Sequence, residues 1–449
     1  MNEQDASRFI FSAPFRTNIE MDTFSASSPM DAENHIQKIV DLLNGSVSEG
    51  CRWTTERGPK SDGDLQFASL NEHDLSPKAK PILCLQVRCE ALEQFRKSAC
   101  VPSGASSLGF NDCRVLYYDD TVAILICDIS MGGLRRGAME VIDAWSVEFC
   151  KSLVDWLRPH RDCLERSLLA GSSGRRHRDL FAQRCHLRRF DDRNDSASAD
   201  GQTMMWVNRI MVVDQQPSQK AMAAWTQTRA LDGNWLDLDA MRLLACVGNS
   251  VLAGPISERD VLVTTDAVAL CTFFYVSQRL FREHLKQLHL DVARATKGVS
   301  RSSLSDERFG ELRDHVVVME AEFRDCRLGL QGHMGEVASR LLDVWNYDAL
   351  ASAVEQRSAS LETAWSLLRE KRRRRYEVIL QSVLTVIACA AVMDFVLSLF
   401  AVAGDGKVPE DSVAGLIDAA KLVPPDLTLN ALLILILVVL PFLVIRGRK

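Results

Sequence analysis

Val378–Phe400 reads VILQSVLTVIACAAVMDFVLSLF, 23 residues in which Asp394 is the one charge. As a helix rising about 1.5 Å per residue, this run is long enough to cross a hydrocarbon core of roughly 30 Å. A second run, Leu427–Ile445, reads LTLNALLILILVVLPFLVI, 19 residues with no charge. A helix satisfies its own backbone polar groups, so both runs are predicted to be transmembrane helices. Everything before them is mixed and polar. The sequence therefore predicts an α+β cytoplasmic domain, then long stalk helices, then two C-terminal transmembrane helices.

Charge gives the spans a direction. Lys371, Arg372, Arg373, Arg374 and Arg375 precede the first, and Arg446, Arg448 and Lys449 follow the second. The segment between them carries Asp405, Glu410, Asp411, Asp418 and Asp426 against Lys407 and Lys421. The positive-inside rule then places both termini in the cytoplasm and the acidic loop outside, a multi-pass inner-membrane topology. Met1–Gly45 shows no signal-peptide pattern, so the first span is expected to act as the targeting signal. The Lys371–Arg375 run reads as a topology determinant that touches lipid headgroups, or as a basic collar at a cytoplasmic pore mouth.

Going outward, 449 residues allow one or two soluble domains besides the membrane part. A net charge of −6 argues against nucleic acid as a partner. The 13 cysteines form no CxxC and several lie in apolar runs, as small buried hydrophobes do in a reducing compartment. The nine histidines form no metal-ligand spacing. Gly171–Arg176 (GSSGRR) lacks the pattern and the strand-to-helix setting of a phosphate loop, and no nucleophile triad or carboxylate pair stands out. The chain reads as a non-enzyme.

Residues 1–80 are polar and predicted to be loop or disorder, apart from a short amphipathic helix at Glu33–Leu43. Residues 81–263 form the α+β domain. Its predicted strands are Pro81–Arg88, Cys113–Tyr118, Thr121–Ile129, Trp206–Asp214, Met241–Val247 and Arg259–Val263, with a turn at Asp119-Asp120. A helix is predicted over Ala138–Arg158, ended or bent by Pro159. Residues 264–377 form the helical stalk or bundle, with a first helix capped by Thr265 or Asp266, a second capped by Ser302 or Ser303, and a break near Gly332 and Gly335. No Gly or Pro interrupts Val337–Phe400, so one rod of about 95 Å is expected to enter the membrane. The spans occupy 378–400 and 427–445, the outer loop 401–426, and the basic tail 446–449.

Asp394 is the main candidate for function. A carboxylate within a bilayer is expensive unless it faces water, an ion or a polar partner. Asp394, Ser398 and Thr385 are candidate ion-path residues, and helical phase is expected to put Asp394 on one face with Ser398, Ala391 and Ile387. Two helices enclose no hydrated path, so conduction requires a homo-oligomer. Asp405, Glu410 and Asp411 are candidates for an outer acidic mouth that concentrates cations.

This layout resembles the CorA-like family of divalent-cation channels and transporters. Met241–Leu252 (MRLLACVGNSVL), the helices from Asp266 onward, both spans and the terminal RGRK follow that family's order, over about Pro81–Lys449. The resemblance implies pentamers around the first span and transport of Mg²⁺ or another divalent cation. The family's Gly-Met-Asn signature is missing; the corresponding region reads Met393-Asp394-Phe395 and then Ala403-Gly404-Asp405. Two other roles fit the layout: a signal-gated membrane effector of bacterial defence, and an organising membrane protein without transport activity.

Overall fold

The computed structural model describes residues 7–22, 29–46, 50–55, 81–98, 101–103, 105–118, 120–132, 138–172, 186–189, 204–215, 219–226, 235–238, 241–296, 306–404, 424 and 430. In chain order the strands are β1 (Ser7–Asp22), β2 (Cys51–Thr54), β3 (Leu83–Val87), β4 (Ser107–Tyr117), β5 (Asp120–Gly132), β6 (His186–Arg189), β7 (Asn208–Val213), β8 (Trp235–Leu238), β9 (Met241–Leu244) and β10 (Asn249–Ala253). The helices are α1 (Pro29–Ser46), α2 (Cys89–Ser98), α3 (Ala138–Trp156), α4 (Arg158–Ser172), α5 (Gln219–Thr226), α6 (Glu258–Thr296), α7 (Asp306–Gly329), α8 (Gly332–Val344) and α9 (Tyr347–Gly404).

The strands make one mixed sheet in the order β2-β3-β4-β5-β1-β7-β10-β9-β8, with β6 added to the far end of β1. β4 ends at Tyr117 and β5 begins at Asp120, with Leu116 facing Ile124 across the pair; Asp119 of the predicted Asp119-Asp120 turn lies outside the described residues. The β10–β7 pair is parallel and the other pairings are antiparallel.

The main departure from expectation is β1. Apart from the helix at Glu33–Leu43, residues 1–80 were expected to be loop or disorder, yet Ser7–Asp22 lies inside the sheet between β5 and β7 and Cys51–Thr54 forms an end strand. Phe9, Phe11, Ala13 and Phe15 alternate into the core, as strand period dictates. Pro14 lacks an N–H donor. It lies past Ser12, the last β1 residue paired with β7, and its carbonyl accepts from Met205 N–H at 2.9 Å.

Both sheet faces are covered. One carries the core formed with α1 to α5, including Leu43, Leu92, Phe149, Leu164 and Trp225. The other meets α6: Tyr118 stacks on Phe273 with ring centroids 4.2 Å apart, and Asn208 donates to Thr272 Oγ1 at 3.0 Å.

Three local expectations are corrected. Arg259–Val263 is helix, not strand, because Ser257 and Asp260 close a reciprocal capping box that starts α6 there. Thr265 and Asp266, expected as caps, lie buried inside that helix. The rod expected from Val337 is interrupted: α8 ends at Val344, and Asn346 has φ 54°, a left-handed conformation that Asn tolerates better than most residues. The uninterrupted helix is α9, 58 residues and about 87 Å long.

The chain divides into two compact units, Met1–Gln287 with Leu304–Arg357, and Leu288–Ser303 with Ser358–Lys449. The boundaries fall inside α6 and α9. All of α7, all of α8 and the start of α9 thus fall in the same unit as the sheet.

Candidate membrane segment

Among the described residues, two helices are long and apolar enough to cross a membrane, Glu258–Ala293 and Tyr347–Phe395. The first lies within α6, and its most apolar window is 78% buried inside the protein. The second lies within α9, and its window is 0% buried. Along α9, Tyr347, Leu350, Val354, Leu361, Trp365 and Leu368 are buried. From Arg369 to Ser398 no described side chain is buried. Ile379, Leu380, Val383, Leu384 and Ile387 are among the apolar residues left uncovered. The predicted first span is therefore a regular helix with nothing packed on it among the described residues. The second predicted span, Leu427–Ile445, lies outside the described residues apart from Asn430. So do Asp405, Glu410 and Asp411.

Asp394 and Ser398 are both exposed on α9, one turn apart. Asp394 makes no hydrogen bond or ion pair among the described residues. Thr385 does not join them. It precedes Asp394 by nine residues, which at about 100° per residue is half a turn, so the two lie on opposite faces of the same helix. The Thr385 hydroxyl donates to Gln381 O at 2.7 Å and the Ser382 hydroxyl to Val378 O at 2.8 Å. Both hydroxyls are satisfied by their own helix. Of the three residues grouped as an ion path, the helix brings together two.

The basic run is also differentiated. Arg374 pairs with Glu370, and Arg373 Nε with Glu377 Oε1 at 2.9 Å, each four residues along the helix. The Arg372 guanidinium lies 5.8 Å from the Trp365 ring centroid. Lys371 and Arg375 are exposed.

The sheet unit holds polar groups that the sequence did not single out. Arg114 on β4 is 5% exposed and meets Asp266 on α6, 3% exposed, at 3.1 Å. Arg8 bridges Asp128 and Glu258, at 2.6 Å to each. Its hydrogen bonds to Glu258 and Asp128 raise the guanidinium pKa, and the same bond holds the Glu258 carboxyl below its ordinary value. Arg209 donates to Ser146 Oγ, Asn249 Oδ1 and two backbone carbonyls, tying α3 to β7 and β10. At the start of α9, Trp345 Nε1 donates to Cys246 O at 3.3 Å and Tyr347 packs on Phe323 at 4.6 Å. These pairs join elements far apart in sequence, and no local pattern announces them. Among the described residues no group of three or more His, Cys, Asp or Glu is placed to hold a metal ion. Loss of solvent pushes up the thiols of Cys51, Cys127, Cys150 and Cys271, Cys51 to about 12.

Comparison with known proteins finds no protein family, no curated protein and no solved structure that matches this chain.

Proposed function

We propose that this chain is a membrane ion channel or transporter of CorA-like layout, probed best as a cation pathway, in which several copies arrange α9 around a central path and the sheet unit controls it. One observation carries the reading. A 58-residue helix continues into a wholly uncovered apolar segment that contains a single carboxylate without a partner among the described residues. Uncovered apolar surface of this extent calls for lipid or protein, and a carboxylate at that depth calls for water, a cation or a polar neighbour. A ring of copies with the Asp394–Ser398 face inward supplies all of these. Ala391 and Ile387 continue that face, and Thr385 points away from it. Mg²⁺ or another divalent cation is the proposed cargo, the inner membrane the proposed location, with both termini in the cytoplasm. Control would run from the sheet unit through α9 by a change in helix tilt.

A specific observation favours a second reading, a membrane organiser without transport. The inner-half hydroxyls of Ser382 and Thr385 close on their own backbone and need no aqueous path. A signal-gated effector would share the conducting mechanism and differ in what the sheet unit binds.

The test is flux of Mg²⁺, Ni²⁺ and K⁺ into liposomes holding the full chain, beside oligomeric state in detergent. A ring of five with flux that Asp394→Asn lowers at least tenfold supports conduction. A monomer or dimer without flux supports the organiser. Flux unchanged by Asp394→Asn removes this carboxylate from the path.

A further inference from the structure

The five consecutive cations before the apolar segment are not equivalent. Arg373 and Arg374 are engaged by Glu377 and Glu370, and Arg372 sits over Trp365 within cation–π range. Lys371 and Arg375 make no ion pair or side-chain hydrogen bond among the described residues. Four residues apart, they project from one face, about 6 Å apart along the axis. Tyr376, 71% exposed, comes next, and the uncovered apolar run begins at Val378. Cations, then an exposed aromatic ring, then apolar surface is the order met by a helix passing from water through headgroups into hydrocarbon. Arg369–Glu377 sets six cations against two carboxylates, so the helix is strongly positive at that level.

We propose that Lys371 and Arg375 form a two-cation site for the phosphate of an anionic phospholipid, and that Glu370 and Glu377 hold Arg374 and Arg373 out of it. The inference rests on the membrane reading of α9 and adds the partner of its basic end. Charge complementarity selects the occupant: a phosphodiester offers acceptor oxygens to two donors about one helical turn apart. A zwitterionic headgroup carries its own ammonium beside that phosphate and gains less. The carboxylates act as a mask, because exposed pairs of this kind are weak and release their arginines when the partner is removed.

The test uses full-length protein in phosphatidylcholine vesicles with a trace of spin-labelled lipid. The fraction of label slowed at the protein surface gives the relative association of phosphatidylglycerol over phosphatidylcholine. The wild type is expected to prefer phosphatidylglycerol, and Lys371→Gln with Arg375→Gln to bring the ratio toward unity, by up to about fivefold per cation. Glu370→Gln with Glu377→Gln should raise the ratio, and added salt should lower it. Inorganic phosphate should leave it unchanged; phosphate at constant ionic strength that abolishes the preference assigns the site to a soluble anion and overturns the lipid proposal. A Lys371/Arg375 double variant with wild-type preference also overturns it. Slowing of both labels equally in the wild type overturns this inference and leaves the membrane reading standing. Slowing of neither overturns the membrane reading itself.

Discussion

Two helices of this chain, α6 and α9, have similar claims on a membrane by length and composition, yet their surroundings differ completely. α6 lies on the sheet, with Val268, Leu270, Phe273, Phe274 and Val276 buried by the protein. Three of its polar residues are met by other elements: Asp266 by Arg114, Thr272 by Asn208, Gln278 by Glu320. The apolar part of α9 has no such cover. Its hydroxyls bond only to their own helix and Asp394 bonds to nothing among the described residues. Apolarity alone therefore does not identify a span. The informative quantities are what covers the apolar surface and who satisfies the polar groups within it.

The largest way to break this comparison is to place the same charge in both helices. Leu270→Lys in α6 removes a buried side chain and buries an unpaired ammonium, and should destabilise the sheet unit by about 5 kcal/mol. Leu384→Lys in α9 should leave the unfolding midpoint of that unit unchanged and disfavour membrane insertion by about 3 kcal/mol. Denaturant unfolding followed by near-ultraviolet circular dichroism reads the first, and vesicle flotation the second. Equal loss of fold in both variants would erase the distinction.

Next comes the buried pair that fixes α6 on the sheet. Arg114→Met leaves Asp266 ionisable and buried, a loss of about 3–5 kcal/mol. Arg114→Met with Asp266→Leu should recover most of that stability, since an apolar pair of similar volume replaces the ion pair. The recovery, measured by thermal melting, separates pairing from packing.

A smaller effect is expected at the start of α9. Asn346 has φ 54°, so Asn346→Ala should cost about 1 kcal/mol and Asn346→Gly much less. An alanine variant as stable as the glycine variant would mean that this turn relaxes.

The smallest is a pH effect at Glu320, which accepts from Gln278. Burial raises its carboxyl above the ordinary range, with Glu355 and Asp348 adding to the rise and Gln278 and Arg324 opposing it. The folded state therefore holds this proton more tightly than the unfolded state. Its contribution to stability is fully present below the unfolded value of about 4.3 and is lost as pH rises through the folded value. Glu320→Gln removes that loss, so the variant should be slightly more stable than wild type at neutral pH, with the difference vanishing in acid. A difference independent of pH would assign the effect to packing.

Much of the sheet unit was legible from sequence. Apolar β-rich runs marked β3, β4, β5, β7 and β9, and Pro159 marked the bend between α3 and α4. β1 was not, because its inward phenylalanines alternate with Arg8, Ser12, Pro14 and Arg16, which make the stretch look polar although its period is that of a strand. Arg259–Val263 misled in the opposite sense: a short β-branched run outweighed the Ser257–Asp260 cap that starts the helix. The break at Asn346 escaped a search for Gly and Pro because Asn also enters the left-handed region. Of the candidate membrane residues, Asp394 and Ser398 share a face as expected. The placement of Thr385 was readable from helical period alone, since nine residues make two and a half turns.

The most direct test of the difference between α6 and α9 is thiol labelling of the full chain in sealed vesicles, with peptide-level readout. Cys389 lies within the apolar segment of α9 and Cys89 is exposed on α2. With protein inserted so that the sheet unit faces the external medium, a charged maleimide should label Cys89 and spare Cys389, while a small apolar maleimide should reach Cys389. Labelling of Cys389 by the charged reagent at the rate of Cys89 would place this segment in water and contradict the account.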